Sequence, residues 1–354
     1  MPHCKPGSED EAVEALVEIG EYLKRAGYHF ITPTPLTHSR VNAREGNARA
    51  RSLRDVFGWS RPFEPGLLPP EIQAALERAG ALERISSLPG LSRQSSLDAR
   101  NKSGHDDFMQ SESGSSPDRA LYRSSVRFSS LDDDLLVHSA YPTDAPDSVF
   151  FGPDSYRFAR VLKTALNRRG AESVRSAVEI GCGTGVGGLV VARALNMPDL
   201  RLVLTDINDK ALSLTRANLM LAGGIPAEIR RSDLLNDVDG SFDLIVANPP
   251  YLNDPAGRAY RHGGGAHGEA LSFRILEEGL PRLNRGGRLI LYTGVAIVEG
   301  IDPLRARLDG IAERHGVEIS YQEVDPDVFG EELDTPAYAQ AERIAAVSLI
   351  ARRV

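Results

Sequence analysis

The chain has 354 residues, which is enough for about two domains, and its apolar fraction of 41% and charged fraction of 25% are typical of a globular protein. A formal charge of −8 argues against a broadly basic, DNA-coating surface, although it is compatible with a local basic surface. The two cysteines, Cys4 and Cys182, are too few for a disulfide framework or a structural zinc site.

The N-terminal part of the chain favours helices. The first ten residues lack the basic and apolar regions of a secretory signal, and no apolar run approaches the roughly 20 residues of a membrane span, so we expect a cytoplasmic protein with no membrane partner. Apolar residues recur at helical spacing over residues 11–25 and 71–84. Prolines disfavour long helices between residues 31 and 70, where only the arginine-rich stretch 40–57 is expected to form short ones. We therefore predict a helical N-terminal domain over residues 1–85.

The next segment changes composition abruptly. Serine, glycine and charged residues dominate residues 86–120, which is typical of a flexible connector. Two strand-like runs, at 126–131 and 135–141, then flank an acidic turn and predict a β-hairpin. We expect residues 121–150 to be this hairpin linker and residues 151–354 to form a second domain.

Helices alternate with short apolar strands from residue 151 onward. A helix is predicted to begin at Pro153, and strands are predicted at 176–180, 201–205, 242–247, 288–293, about 317–324 and 344–351. Continuous apolar strands that alternate with helices predict an α/β fold with a doubly wound, mostly parallel sheet, in which the last two strands can pair antiparallel.

A strand, a glycine-rich turn and the start of a helix follow one another over residues 177–191. Ligands of parallel sheets bind where the strands end, and glycines let the backbone come close to them. The spacing of Gly183, Gly185 and Gly188 also matches the dinucleotide fingerprint, so the glycines alone leave the choice of adenosine cofactor open. The candidate cofactor residues of this turn are Glu179, Gly181, Cys182, Gly183, Thr184 and Gly185.

Three acidic residues near strand ends add to the turn. Glu179 can attract a cofactor ammonium group or a bound water, whereas a pyrophosphate would favour a helix N-terminus without an extra negative charge. Asp206 can accept hydrogen bonds from the ribose hydroxyls of either adenosine cofactor, and Asp233 can accept one from an adenine amino group. Their neighbours Ile207, Asn208 and Leu234 complete the predicted cofactor site, together with Asn248 of the next motif.

The run Asn248-Pro249-Pro250-Tyr251 follows an apolar strand and is the most specific feature of the chain. The two prolines end the strand and stiffen the backbone. The side-chain oxygen of Asn248 and the carbonyl of Pro249 can each accept one N–H of a planar nitrogen, which turns its lone pair towards an electrophile, while Tyr251 can stack on the planar group. These four residues are the predicted catalytic residues, and positioning is expected to supply most of the acceleration.

These motifs resemble those of the class I S-adenosylmethionine-dependent methyltransferases, and more narrowly the amino-methyltransferase branch with an Asn-Pro-Pro-Tyr motif. The glycine-rich segment 263–268 and the helix expected at 269–280 are similar to those of protein glutamine-N5 methyltransferases that act on release factors. Those enzymes also join a helical N-terminal domain to the catalytic domain through a β-hairpin. The resemblance implies a Rossmann-like seven-stranded sheet, S-adenosyl-L-methionine as cofactor, and methyl transfer to an amide or amino nitrogen.

The methyl acceptor stays open at this point. Residues 151–158 and 291–294 depart from the release-factor enzymes, so a protein glutamine, a nucleic-acid base (N6 of adenine or N2 of guanine) and a small molecule are all candidates. The acidic balance mildly favours a protein or small molecule over duplex DNA. Arg40, Arg44, Arg49, Arg51 and Arg54 can form a phosphate-binding face, although a solvated arginine-rich helix is the simpler interpretation.

Two other function classes compete with methyl transfer. A nicotinamide-dependent oxidoreductase would use the same glycines but leaves Asn248–Tyr251 without a role, and a non-catalytic S-adenosylmethionine-binding protein would not need that motif. His262 and His267 lie in a glycine-rich loop with no carboxylate at ligand spacing, so we predict no metal site and interpret the loop as a flexible substrate lid. The oligomeric state is left open.

Overall fold

The computed structural model of the protein describes residues 8–85, 120–167, 173–254, 257–258 and 260–354. The connector predicted at 86–120 therefore lies, apart from its last residue, outside the described residues. The helices are α1 (Glu9–Arg25), α2 (Pro35–Asn42), α3 (Leu53–Phe57), α4 (Pro70–Arg78), α5 (Pro153–Leu166), α6 (Val186–Leu195), α7 (Asp209–Leu221), α8 (Ala270–Gly279) and α9 (Leu308–His315). The strands are β1 (Leu82–Ile85), β2 (Leu121–Ser124), β3 (Val126–Leu131), β4 (Asp134–Ser139), β5 (Ser176–Ile180), β6 (Arg201–Asp206), β7 (Glu228–Arg231), β8 (Phe242–Ala247), β9 (Leu283–Ile297), β10 (Val317–Asp325) and β11 (Arg343–Arg353). Short 3₁₀ helices lie at Leu280–Arg282, Arg305–Arg307, Gly330–Asp334 and Pro336–Tyr338.

The centre of the protein is a seven-stranded sheet with the strand order β10-β11-β9-β8-β5-β6-β7. The five strands from β9 to β7 are parallel, whereas β11 pairs antiparallel with both β9 and β10. This arrangement confirms the predicted α/β fold, with a Rossmann-like, mostly parallel sheet that has an antiparallel pair at its end.

Helices cover both faces of the sheet, which explains why its strands are continuously apolar. Leu244 and Val246 of β8 pack into one buried cluster with α5 and α6. Ile245 and Ala247 of the same strand pack into a second cluster on the other face, with α8 and α9. The predicted first and last residues of β5 and of β8 agree with the structure. A strand that is buried on both faces consists mostly of apolar residues, so the hydropathy of the sequence changes abruptly where it begins and ends.

The N-terminal helices share a third buried cluster with the hairpin and with α7. Helix α1 packs against both α4 and α7, and a Cβ added at Gly20 of α1 would lie 2.6 Å from the side chain of Leu221 in α7. The predicted hairpin is formed by β3 and β4, and all residues of β3 are buried. In the described residues the N-terminal part and the hairpin therefore pack directly on the second domain, while the division into four ranges stays a prediction.

The helix predicted at 71–84 is partly wrong. Helix α4 ends at Arg78, and Gly80 has a φ of +62°, a left-handed conformation that commonly terminates helices. The chain then turns into β1, which pairs antiparallel with β2 so that Leu82 lies opposite Ser124. Among the described residues, no helix combines the length and the apolar character needed to cross a membrane.

Candidate active site

A pocket opens at the carboxyl ends of β5, β6 and β8. All the predicted site residues line it except Gly185. These lining residues are Glu179, Gly181, Cys182, Gly183, Thr184, Asp206, Ile207, Asn208, Asp233, Leu234, Asn248, Pro249, Pro250 and Tyr251. Parallel β5, β6 and β8 are neighbours in the sheet, so the segments that follow them meet at one edge.

The glycine turn exposes its backbone to this pocket. Gly181 and Gly183 have φ angles of +68° and +54°, and a Cβ added at either residue would meet no atom within 4 Å. Gly185 is also left-handed, but a Cβ there would lie 2.9 Å from Cγ2 of Thr215, which explains why this glycine faces protein. The first two glycines thus leave room for a ligand beside the main chain, whereas the third permits close packing on α7.

Glu179 lies under the start of α6. Its carboxylate accepts hydrogen bonds from the backbone N–H groups of Gly187 (2.9 Å) and Gly188 (2.8 Å), two of the donors that a helix start leaves unpaired. Burial raises the pKa of Glu179 to about 8, although these two hydrogen bonds act in the opposite direction. The side chain therefore ties the strand end to the helix start and adds an acidic group at the floor of the pocket.

Asp206 joins the end of β6 to the glycine turn. Its two oxygens accept hydrogen bonds from the backbone N–H groups of Gly183 and Asn208, each over 2.9 Å. Burial raises the pKa of Asp206, and the backbone donors oppose that shift. Each carboxylate oxygen retains a further lone pair, so a ligand hydroxyl can still bind there.

Asp233 has a protein partner that no pattern in the sequence predicts. Its carboxylate and the guanidinium of Arg274 form an ion pair, with an Nη2 to Oδ2 distance of 3.1 Å. Both side chains are about half exposed, so the pair contributes little to stability. Arg274 lies on α8, far along the chain, and no spacing pattern in the sequence links it to Asp233.

Asn248 is half-buried, and none of the described residues forms a hydrogen bond with its side chain. The carbonyl of Pro249 has no such partner either. The strand β8 ends at Ala247, so these two acceptors lie directly after the strand, at the pocket. Two unpaired acceptors on adjacent residues can receive the two N–H groups of one amino or amide nitrogen.

The ring of Tyr251 is more enclosed than a stacking role requires. It packs against Gly294, where an added Cβ would lie 2.2 Å from its Cδ2 atom, and against Phe329, with ring centroids 5.8 Å apart. Its hydroxyl is buried beside Asp154 without a hydrogen bond of ordinary geometry, and burial raises its pKa. Stacking of Tyr251 on a planar acceptor therefore stays a prediction, and Phe329 is a second aromatic ring at the pocket.

Phe329 adopts a strained conformation. Its φ of +53° is left-handed, which is rare for an aromatic residue and often marks a functional position. The guanidinium of Arg261 lies 5.9 Å from the centre of this ring. Neither residue was predicted, because Phe329 follows a distant strand and has no sequence motif around it.

The described residues of the loop 252–268 are held by several contacts. Asp254 accepts two hydrogen bonds from the Arg258 guanidinium (2.9 and 2.7 Å), which lowers the pKa of Asp254 to about 2. Arg261 forms an ion pair with Glu332, and the Tyr338 hydroxyl donates to the carbonyl of His267 over 2.9 Å. These contacts tie the loop to the segment after β10, which a freely flexible lid would lack.

The two histidines of this loop have other contacts. Nδ1 of His262 accepts a hydrogen bond from the backbone N–H of Asp254 over 3.2 Å, and the ring of His267 lies 5.8 Å from that of Tyr338. Within the described ranges, no group of three or more His, Cys, Asp or Glu side chains is arranged to hold a metal ion.

Comparison with known proteins connects this site to one domain family. Residues 157–295 match the family model described as methyltransferase small domain. The ribosomal RNA small subunit methyltransferase C of Escherichia coli is 34% identical over 112 residues, which cover 32% of this chain and 29% of that protein. The chain therefore aligns with less than a third of the length of this relative.

Two solved structures are similar to part of this chain. A methyltransferase from Pyrococcus furiosus is 21% identical and has a TM-score of 0.38, covering 58% of this chain and 88% of that one. M. jannaschii TYW2, solved in complex with AdoMet, is 13% identical and has a TM-score of 0.44, covering 65% of this chain and 87% of that one.

Proposed function

We propose that this chain, a class I S-adenosylmethionine-dependent methyltransferase, transfers a methyl group to the exocyclic amino nitrogen of a base in RNA. The enzyme class and the cofactor follow from the family match over residues 157–295, which include the glycine turn and Asn248–Tyr251. Beyond the enzyme class and the cofactor, we propose that the chain belongs to the Asn-Pro-Pro-Tyr branch and that its methyl acceptor is a base in RNA.

The residues around the glycine turn fit the cofactor. Gly181 and Gly183 leave open space beside their backbone, which lets a bulky ligand approach. We assign Asp206 to the ribose hydroxyls, Asp233 to the adenine amino group and Glu179 to the region of the ammonium group. Ile207, 54% exposed at the pocket, offers an apolar surface to the adenine ring. When bound, S-adenosylmethionine supplies an electrophilic methyl group whose bond to sulfur breaks as the new nitrogen–carbon bond forms.

One observation supports the proposed reaction: two hydrogen-bond acceptors, the side-chain oxygen of Asn248 and the carbonyl of Pro249, have no partner among the described residues. An amino nitrogen conjugated to a ring is a poor nucleophile, because its lone pair is delocalised. Hydrogen bonds from its two N–H groups to Asn248 Oδ1 and the Pro249 carbonyl would hold the nitrogen with its lone pair towards the methyl group. Positioning of this kind contributes much of the rate in such reactions. The surplus proton leaves to water after transfer, so no strong general base is needed.

RNA is favoured over the other acceptors by two observations. The Escherichia coli relative is named a ribosomal RNA methyltransferase. The pocket also contains Phe329, a half-buried aromatic ring that suits a planar base. Because the target base has to enter a pocket, it must be unpaired or displaced from a helix.

A protein glutamine is the second candidate, because the motifs resemble those of the release-factor enzymes. Helices α1 to α4 and the hairpin β3–β4 precede residues 157–295, an order that is compatible with this candidate. An amide nitrogen would donate its hydrogen bonds to the same two oxygens, on Asn248 and Pro249. The geometry at Asn248 therefore does not favour an RNA base over a protein glutamine as the methyl acceptor.

Transfer of tritiated methyl groups into fractionated cell extract tests the proposal. We expect label in RNA, recovered as a methylated nucleotide after nuclease digestion. Label confined to protein would contradict the RNA proposal and support the glutamine candidate. Calorimetric titration with S-adenosylhomocysteine and with NAD tests the cofactor separately, and binding of NAD alone would contradict the enzyme class.

A further inference from the structure

The segment between α2 and α3 carries a dense group of arginines. Residues 40–61 contain six arginines and two acidic residues, although the whole chain has a formal charge of −8. Five of these arginines are exposed, and we call four of them, Arg40, Arg44, Arg51 and Arg54, the α2–α3 basic surface. Such a local concentration of one charge is unusual in an acidic protein.

Carboxylate partners distinguish these four arginines from their neighbours. In the described part of the chain, none of the four forms an ion pair with an acidic residue. Their neighbours differ, because Arg49 pairs with Glu64 and Arg61 pairs with Asp55. The two acidic side chains close to the surface are thus neutralised by other arginines, and Glu45 is the exposed acid that remains within the segment.

The basic surface is built on a packed scaffold. The Asn42 side chain donates to the Trp59 carbonyl over 2.9 Å and accepts from Nε of Arg61 over 3.0 Å. The Asn47 side chain donates to the Val41 carbonyl over 2.7 Å. These bonds fix the turn after α2 against the turn after α3, so the arginines project from a defined backbone.

The surface begins at the rim of the active-site pocket. Pro35, the first residue of α2, lines that pocket together with Thr143. The next turn of α2 is joined to the same loop, since the Ser39 and Tyr141 hydroxyls are hydrogen-bonded over 2.5 Å. A helix of eight residues spans about 12 Å, so Arg40 lies within one or two turns of Pro35 at the pocket.

We propose that the α2–α3 basic surface binds the phosphate backbone of RNA whose target base enters the pocket. This inference rests on the proposed function, to which it adds a docking surface. Several unpaired cations along one surface match the repeating charge of a nucleic-acid backbone, whereas a protein acceptor presents no regular array of anions. Trp59, half-buried under Arg61 at 5.7 Å, lies beside the surface.

The test compares two variants of the full chain that lose the same charge. One carries Arg40→Gln, Arg44→Gln, Arg51→Gln and Arg54→Gln. The matched control carries Arg160→Gln, Arg285→Gln, Arg314→Gln and Arg352→Gln, which are exposed arginines outside the segment. Anisotropy of a fluorescein-labelled, mixed-sequence single-stranded RNA of about 20 nucleotides gives the affinity at several salt concentrations. Thermal melting shows that both variants are folded.

The first variant is expected to bind the RNA at least tenfold more weakly than the control variant at low salt. Its plot of log affinity against log salt should be shallower by about 3, because each lost phosphate contact on a single strand removes about 0.7 from the slope. RNA affinity equal to that of the control, or absence of RNA binding by the wild type, would each overturn the proposal.

Methyl transfer into ribosomal RNA separates this proposal from the proposed function. If the wild type labels only protein, the proposed function fails whatever the anisotropy shows, and RNA docking loses its premise. If the wild type and the first variant label RNA with the same KM, the proposed function stands and the docking surface is wrong. A KM for RNA that rises at least tenfold in the first variant alone, with unchanged S-adenosylmethionine affinity, supports both.

Discussion

The carboxylate of Glu179 accepts a hydrogen bond from the backbone N–H of Gly187 over 2.9 Å, directly under the first turn of α6. A Cβ at residue 187 would lie 2.4 Å from Oε1 of the same carboxylate, so the contact also requires glycine there. The buried carboxylate of Glu179 and the first turn of α6 are thus in direct contact at the floor of the cofactor pocket.

The first prediction concerns the pH dependence of stability. The pKa of Glu179 is about 8 in the folded protein, against an ordinary value of 4.5 for an unfolded chain. Between these two values the folded state retains a proton that the unfolded state has released, so the stabilising contribution of Glu179 falls as pH rises through this window. The stability advantage of the wild type over Glu179→Gln, measured by urea unfolding, should therefore shrink from pH 5 to pH 8, by at most about 1.4 kcal/mol per pH unit.

Glu14→Gln is the matched control, because Glu14 is exposed on α1. Its stability difference from the wild type should stay within about 0.5 kcal/mol at every pH. An advantage of Glu179 that grows with pH would mean that the carboxylate is ionised in the folded protein over the whole range.

The second prediction concerns the packing of Tyr251. In Gly294→Ala, the new methyl group would lie 2.2 Å from Cδ2 of the Tyr251 ring, so the ring has to move. We expect a loss of about 1–3 kcal/mol in stability from overpacking, and a fall in methyl transfer because Tyr251 lies only two residues after Pro249. Thermal unfolding and turnover with excess S-adenosylmethionine measure the two effects.

Gly310→Ala provides the comparison on α9, where an added Cβ would meet no atom within 4 Å. This change should stabilise the helix by about 0.5–1 kcal/mol and leave turnover unaltered. Wild-type turnover in Gly294→Ala would show that the position of the Tyr251 ring is unimportant for transfer.

The third prediction separates two roles of Asp233. If its carboxylate binds the adenine amino group, Asp233→Asn should weaken S-adenosylhomocysteine binding about tenfold, as expected for a lost charge-assisted hydrogen bond. The same loss should appear in an Arg274→Gln background, and Arg274→Gln alone should change affinity by less than about threefold, because the ion pair is exposed. Calorimetry on the four proteins of this cycle gives the coupling. If Asp233→Asn has no effect once Arg274 is replaced, Asp233 acts only through its ion pair.

The segments that contain the predicted cofactor and catalytic residues could be predicted because each is continuous in the sequence. The strands β5 and β8 are buried on both faces, and glycines or prolines follow each of them, so hydropathy and backbone restrictions mark the same positions. The parallel pairing of β5 with β8 then brings Glu179 and Asn248 to one edge of the sheet.

Features that depend on distant segments could not be predicted. Strand β7 is a short edge strand with the sequence Glu-Ile-Arg-Arg. Three of these four residues are charged, so hydropathy does not predict a strand there. Arg274 and Phe329 enter the site from α8 and from the turn after β10, and their contacts exist only after the sheet has formed. The left-handed φ of Phe329 leaves no trace in the sequence, because the residue there is not a glycine.

The fourth prediction concerns the proposed acceptor pair. Asn248→Ala removes Oδ1, which has no hydrogen-bond partner in the described residues and therefore supports no part of the fold. We expect turnover to fall about 10²- to 10³-fold, a loss typical of one missing polar group that positions a reacting centre, while S-adenosylhomocysteine affinity changes by less than about threefold. Asn248→Asp keeps an acceptor oxygen at the same place and should recover part of the rate.

Asn284→Ala is the control. Asn284 lies near the start of β9, at the end of the strands opposite the pocket, and donates a hydrogen bond to Asp243 over 2.8 Å. This change should cost stability without slowing transfer. Unchanged turnover in Asn248→Ala would remove Asn248 from the mechanism, and equal loss in Asn284→Ala would attribute the effect to folding.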